Sequence, residues 1–243
     1  MNIISRLVFE LFSAPWKYVN ILPIRVVEEG IASALIIEDD VDWDVRLLSQ
    51  MPLLAKGVRT LSDIPLSKRQ HSPYGDTWDI IWPGHCGELP PKDDFRTYVI
   101  SDDPTVAPQS HQPWLMGVKH LPEGSRVIHR VGGPICAFGY AVSLRGAQKI
   151  LYWLGVRGGD SLAIDNGLGY MCRNRELDMN CWSVEPQLFN HHRPAGSISK
   201  DSDINQKDPA VIREKAFTDV IVWSARLNLP QMIMGSDDYV KQW

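Results

Sequence analysis

Short apolar runs bounded by turn-forming residues recur at residues 34–37, 78–82, 97–100, 126–131, 137–142 and 181–184, and each reads as a strand. Between them the apolar positions switch to a helical period, predicting helices over residues 45–54, 144–154, 162–173 and 209–227. In the second of these Leu144, Ala147, Leu151 and Leu154 share one face, with Ser143 as N-cap. In the last, Phe217, Val220, Ile221, Ser224 and Leu227 do the same, with Pro209 in the first turn. Residues 17–30 also carry a helical pattern, but Pro23 lacks an amide donor and is expected to kink or break it, and Gly30 to stop it. Alternating strands and helices imply an α/β fold, a sheet with helices packed on it. Residues 67–77, 101–114 and 193–208 are polar and rich in turn formers, as lids and acceptor-binding loops are.

The first apolar run ends abruptly. Leu35, Ile36 and Ile37 are followed by Glu38, Asp39, Asp40, Asp42 and Asp44, five carboxylates within seven residues. At an effective dielectric of about 20, two carboxylates roughly 4 Å apart repel by about 4 kcal/mol, so such a crowd must splay into water, raise a pKa or share a cation. If the chain stays extended, Glu38, Asp40 and Asp42 lie on one side, successive members about 6.5–7 Å apart. Hard oxygen ligands of this kind suit Mn²⁺ or Mg²⁺, which keep open positions for substrate phosphates. The alternative is a solvated acidic turn capping a helix that starts near Trp43.

At 243 residues and 44% hydrophobic content the chain is long enough for a substantial core, and one domain suits that length. Its 25 basic and 29 acidic residues include no basic tract, so nucleic acid is not an expected partner. The cysteines at 86, 136, 172 and 181 contain no C-x-x-C pair, which argues against structural zinc; buried thiols are expected, with a local Cys172–Cys181 disulfide as the alternative. Residues 1–22 are apolar in part but interrupted by Arg6 and Glu10, and fit neither a signal peptide nor a membrane span.

Four motifs then fall in one order. They are Glu38-Asp39-Asp40 after its apolar run; Trp78-Asp79-Ile80-Ile81-Trp82-Pro83-Gly84-His85-Cys86-Gly87; Gly139-Tyr140-Ala141-Val142-Ser143 with Gly146-Ala147-Gln148-Lys149; and Pro186-Gln187-Leu188-Phe189-Asn190-His191-His192 with Ser202-Asp203-Ile204. In that order they resemble glycosyltransferase family 25, which includes lipopolysaccharide and collagen hydroxylysine galactosyltransferases, and in particular its fungal branch. The resemblance covers roughly residues 26–208. It implies a GT-A-like mixed sheet flanked by helices, a UDP-sugar donor, probable galactose transfer with inversion, a Mn²⁺ or Mg²⁺ ion, a glycan or glycoprotein acceptor, and residence in the Golgi or secretory pathway.

Mapped onto this chain, the resemblance makes Asp40 the first metal ligand, with Glu38 aiding it or holding the ribose, and Asp39 part of the same nucleotide motif. Asp42 is a further ligand on the alternation argument. Asp165 matches an Asp before a helix in the family and is expected to be the general base or to orient the acceptor; the plain alternative is a helix cap. His191 and His192 follow a predicted strand, only one of them can point inward, and His192 is assigned to the cofactor. His85, flanked closely by Gly84 and Gly87, is assigned to the cofactor as well, against the simpler reading of a turn residue. Tyr140 and Trp153 fit core positions better than sugar-stacking ones.

The chain departs from the family pattern upstream. Only about 33 residues precede the Glu38-Asp39-Asp40 strand, without a match to the first nucleotide-binding strand and its Arg-containing turn, so that strand is expected to be missing or replaced. Residues 1–25 are accordingly read as an irregular N-terminal segment and residues 26–243 as one GT-A-like domain. A truncated transferase, an inactive relative kept as a glycan- or protein-binding scaffold, and an unrelated phosphate-ester hydrolase are the three functional classes that remain.

Overall fold

The computed structural model describes residues 21–88, 91, 93–115, 120–157, 163–201 and 207–243. A six-stranded sheet forms its centre. The strands are β1 (Ser33–Ile37), β3 (Ile80–Gly84), β4 (Thr97–Ile100), β5 (Arg126–Arg130), β6 (Gly139–Ser143) and β7 (Cys181–Glu185), in the order β1-β6-β3-β7-β5-β4. Only β3 and β7 run parallel; the remaining neighbours are antiparallel, so the sheet is mixed as expected. Strand β1 lies at the edge and pairs with β6 alone among the described residues. The segment upstream of it, where the first nucleotide-binding strand is expected to be missing or replaced, lies largely in residues 1–20, outside the described residues.

Apolar residues of β3 and β7 are buried on both faces, which is why their sequences read as continuous runs rather than alternations. On one face Ile80, Trp82, Tyr140 and Val142 pack with the helices α1 (Ile21–Glu28), α3 (Leu144–Val156) and α4 (Ile164–Arg173). On the other Ile81, Ile128, Trp182 and Val184 pack with Leu54, Val58 and Leu61 of α2 (Leu47–Leu61). Each fully buried side chain of this size stabilises the fold by about 1.5–3 kcal/mol before conformational entropy is counted. Tyr140 and Trp153 belong to the first of these layers, as expected.

A second, three-stranded sheet crosses the end of the first. It contains β2 (Val41–Trp43), β8 (Phe189–Arg193) and β11 (Phe217–Thr218), ordered β11-β8-β2, with Val41 opposite His191 and Asp42 opposite Asn190. Strands β9 (Gly196–Ser197) and β10 (Ile212–Arg213) form a small ribbon, and α5 (Leu229–Ile233) lies near the C-terminus.

Local predictions hold where a single element decides them. Ser143 caps α3, its Oγ accepting from the Gly146 N–H at 3.0 Å. Pro23 does not end the lead-in helix, which continues past it to Glu28. The boundary expected at residue 25 therefore lies within α1. The helix expected over 209–227 is absent: β10, β11 and an irregular stretch replace it, with Val220, Ile221, Val222 and Trp223 all buried in succession. Tertiary burial of every residue in that run overrides the helical spacing of a few. The four cysteines form two disulfides, Cys86–Cys136 and Cys172–Cys181, rather than the expected buried thiols. Among the described residues no helix is long and apolar enough to cross a membrane.

Candidate functional site

Strand β1 stops at Ile37 and the chain turns through Asp39 and Asp40 before β2 begins, the Val41 N–H reaching the Glu38 carbonyl at 3.4 Å. The alternation that would set Glu38, Asp40 and Asp42 on one face ends at this turn. Backbone bonds fix its geometry: the Glu38 N–H donates to Phe138 O at 3.0 Å, and the His192 N–H donates to Asp40 O at 2.8 Å. The second bond ties the turn to β8, which carries His191 to the acids. His191 Nε2 lies 2.7 Å from Glu38 Oε2 and 3.4 Å from Asp40 Oδ1. Its ring is held against Phe138, with centroids 3.8 Å apart. Glu38, Asp40 and His191 can each offer one ligand atom to a single ion, and form the only such group among the described residues.

Two carboxylate oxygens and an imidazole nitrogen at these separations resemble adjacent ligands around one cation, whose edges are about 3 Å. The carboxylates suit Mg²⁺ or Mn²⁺, and the imidazole shifts the preference toward Mn²⁺. Burial, reinforced by the charges of Glu38 and Asp39 and opposed by His191, pushes the Asp40 carboxyl above the usual range. A cation would relieve that repulsion. Asp39 is exposed at the turn and its side chain does not enter the group.

Asp42, expected as a third ligand, faces the interior and is fully buried. Its Oδ1 accepts from the Trp43 N–H at 2.9 Å and the Arg226 N–H at 3.1 Å; its Oδ2 accepts from Thr218 Oγ1 at 2.7 Å and from Ser224 Oγ. Burial would raise its carboxyl, but these bonds and nearby His192 hold it below the usual range. Asp44 is bonded in the same manner, accepting from the backbone N–H groups of Arg46 and Trp223 at 2.8 and 3.0 Å, but burial outweighs these bonds and pushes its carboxyl above the usual range. Both acids tie the irregular 219–228 stretch to β2. His192, assigned to the cofactor from sequence, points to this side: its Nδ1 lies 3.0 Å from Thr218 Oγ1, which itself donates to Asp42. Strand alternation thus delivers His191 to the acids and His192 to the structural network.

Asp165 sits in the first turn of α4, as its sequence position suggested. Its Oδ1 accepts from the Asn166 N–H of its own helix end at 2.8 Å, as a capping acid does, and its Oδ2 reaches outward to accept from the Cys136 N–H at 3.0 Å. Cys136 belongs to the loop between β5 and β6, which continues to Phe138 and hence to His191. The Cys86–Cys136 disulfide fastens the same loop to the end of β3. One covalently braced segment therefore joins Asp165 to the acidic group.

His85 is not at a surface that a cofactor could touch. It is fully buried, its Nδ1 accepting from the Gly87 N–H at 2.9 Å and its Nε2 3.2 Å from Ser183 Oγ. Burial lowers its pKa and keeps it neutral. Nearby, His129 Nε2 lies 3.7 Å from Glu185 and 3.9 Å from Glu88, beyond hydrogen-bond reach but within strong charge attraction. Burial alone would discharge His129; the two carboxylates outweigh it and push the imidazole up to about 9. Asp79, in the second sequence motif, is likewise structural, pairing with Arg145 at 2.7 Å and Lys149 at 2.8 Å in the interior.

The sequence does not orient His191 and His192, because the antiparallel register of β8 on β2 is a long-range choice. The Ser202-Asp203-Ile204 motif lies outside the described residues. No protein-family model and no curated protein sequence matches this chain.

Proposed function

We propose that this chain is a Mn²⁺-dependent glycosyltransferase of GT-A type, moving a hexose, galactose in the first instance, from a UDP-sugar to a glycan or protein hydroxyl with inversion. The observation that carries the reading is the convergence of Glu38, Asp40 and His191 at the carboxyl end of β1, on one edge of a mixed α/β sheet. Ligands gather at such strand ends in open sheets. These three side chains would hold the ion, and a bound divalent cation neutralises charge growing on the departing diphosphate. Phe138 keeps the His191 ring in place for that task.

On the acceptor side, Asp165 is the carboxylate of this proposal. The acceptor oxygen forms its bond to the anomeric carbon as the bond to the diphosphate breaks, and the hydroxyl proton passes to Asp165. The braced loop at Cys136 sets the position of that carboxylate. Two disulfides suit an oxidising compartment and so support the secretory setting that the family resemblance implies. Calorimetry of UDP binding tests the reading: tight binding with Mn²⁺ and little with EDTA is expected, and equal affinity in both would rule it out. Mn²⁺-dependent UDP binding without any sugar transfer would leave the glycan-binding scaffold in its place.

A further inference from the structure

Of the eight described tryptophans, seven place their rings against another aromatic ring or a cationic side chain. Trp114 alone does neither, and it is 74% exposed. A bare indole in water forgoes the large burial gain that aromatic side chains usually collect. Its backbone is unusual too. Trp114 has φ +68, a left-handed conformation that a bulky side chain adopts only at a cost of about 1–3 kcal/mol when surroundings impose it.

Those surroundings are specific. The next residue, Leu115, is fully buried and anchors the segment. On the other side Gly87 has φ +104, and a Cβ there would lie 2.3 Å from the Trp114 carbonyl oxygen, so only glycine lets the segment approach this closely. Gly87 follows Cys86, whose N–H donates to Ile135 O at 2.8 Å and whose sulfur is bonded to Cys136. Cys136 is also left-handed, with φ +67, and its N–H donates to Asp165. Ile135, 58% exposed, stands beside it. The Trp114 backbone thus lies against Gly87, and the Cys86–Cys136 disulfide beside Gly87 fastens that segment to the loop whose Cys136 N–H reaches Asp165.

We propose that Trp114 is the stacking platform for the acceptor, taking the apolar face of a pyranose ring and so presenting its hydroxyl on the Asp165 side of the site. The chemistry fits a sugar. A single exposed indole is far below the roughly 1,000 Å² that a stable protein partner needs, whereas it matches one pyranose face. The backbone that carries the indole is fixed by the Gly87 approach and the buried Leu115, so its position costs no loop ordering on binding. The assignment of this sugar as acceptor rests on the transferase reading; the stacking itself does not.

The test titrates the intact chain, without donor, with N-acetyllactosamine, cellotetraose and chitotetraose, following the Trp114 indole N–H resonance assigned by its disappearance in Trp114→Phe. A saturable shift of that resonance is expected with at least one saccharide, with affinity about tenfold weaker in Trp114→Ala. The melting temperature and Mn²⁺·UDP affinity of Trp114→Ala should equal those of the unmodified chain. A resonance that none of the saccharides moves, or an unchanged affinity in Trp114→Ala, overturns the proposal. Saccharide binding that depends on Trp114 in a chain that binds no Mn²⁺·UDP would sink the transferase reading and keep the platform.

Discussion

Glu38 and Asp40 on one side of a turn, and Asp42 and Asp44 on the other, are the same chemical groups in one run of seven residues, yet they do opposite work. The first pair is half exposed, accepts little from the protein and converges on His191. The second pair is buried and saturated by hydroxyls and backbone amides. What separates them is the change of sheet at Asp39–Asp40. A carboxylate surrounded by donors is a structural clamp, whereas one facing another carboxylate and an imidazole keeps lone pairs that a cation could use.

The largest effect should come from the clamp. Asp42→Ala leaves four donors without their acceptor and should destabilise the fold by about 4 kcal/mol in urea titration. A loss below about 1 kcal/mol would erase the distinction between the halves. His129 tests the same rule on a buried cation. Its pKa is raised from 6.5 to about 9 on folding, so its contribution is whole below about pH 6.5 and disappears as pH rises through about 9. That contribution is about 3 kcal/mol. Unfolding free energy should therefore fall toward alkaline pH, and His129→Gln should flatten that part of the profile. Asp39→Asn should do least. Its side chain joins neither half, so stability should stay within about 0.5 kcal/mol and Mn²⁺ affinity within about threefold.

Elements that one stretch of sequence can decide were legible. Strand β4, the body of β1 and helix α3 with its Ser143 cap follow from apolar period and capping chemistry alone. Of the site, Glu38 and Asp40 were legible because a crowd of carboxylates at a strand end has few stable explanations. Asp42 faces inward because the two-residue turn at Asp39–Asp40 resets the alternation; an acidic turn is legible there as the alternative to an extended run, but which of the two forms depends on the pairing of β2 with β8. His191 required knowing which strand pairs with β2. The 209–227 stretch has enough helical spacing to mislead, and becomes irregular because its central run is buried on every side and Asp42 and Asp44 claim its amides across more than 170 residues of sequence. The Cys86–Cys136 disulfide joins positions that only the folded chain brings together, at a Cα separation of 5.5 Å, whereas the local Cys172–Cys181 pair was legible as the alternative to buried thiols.

The most direct test of the account is a Mn²⁺ titration, followed by electron paramagnetic resonance, of the unmodified chain, Asp40→Asn, His191→Ala and Asp42→Asn, each confirmed folded by circular dichroism. The account predicts one site in the unmodified chain, weakened about a hundredfold or more in Asp40→Asn and His191→Ala and unchanged in Asp42→Asn. No bound Mn²⁺ in the unmodified chain, or equal weakening in Asp40→Asn and Asp42→Asn, would contradict it.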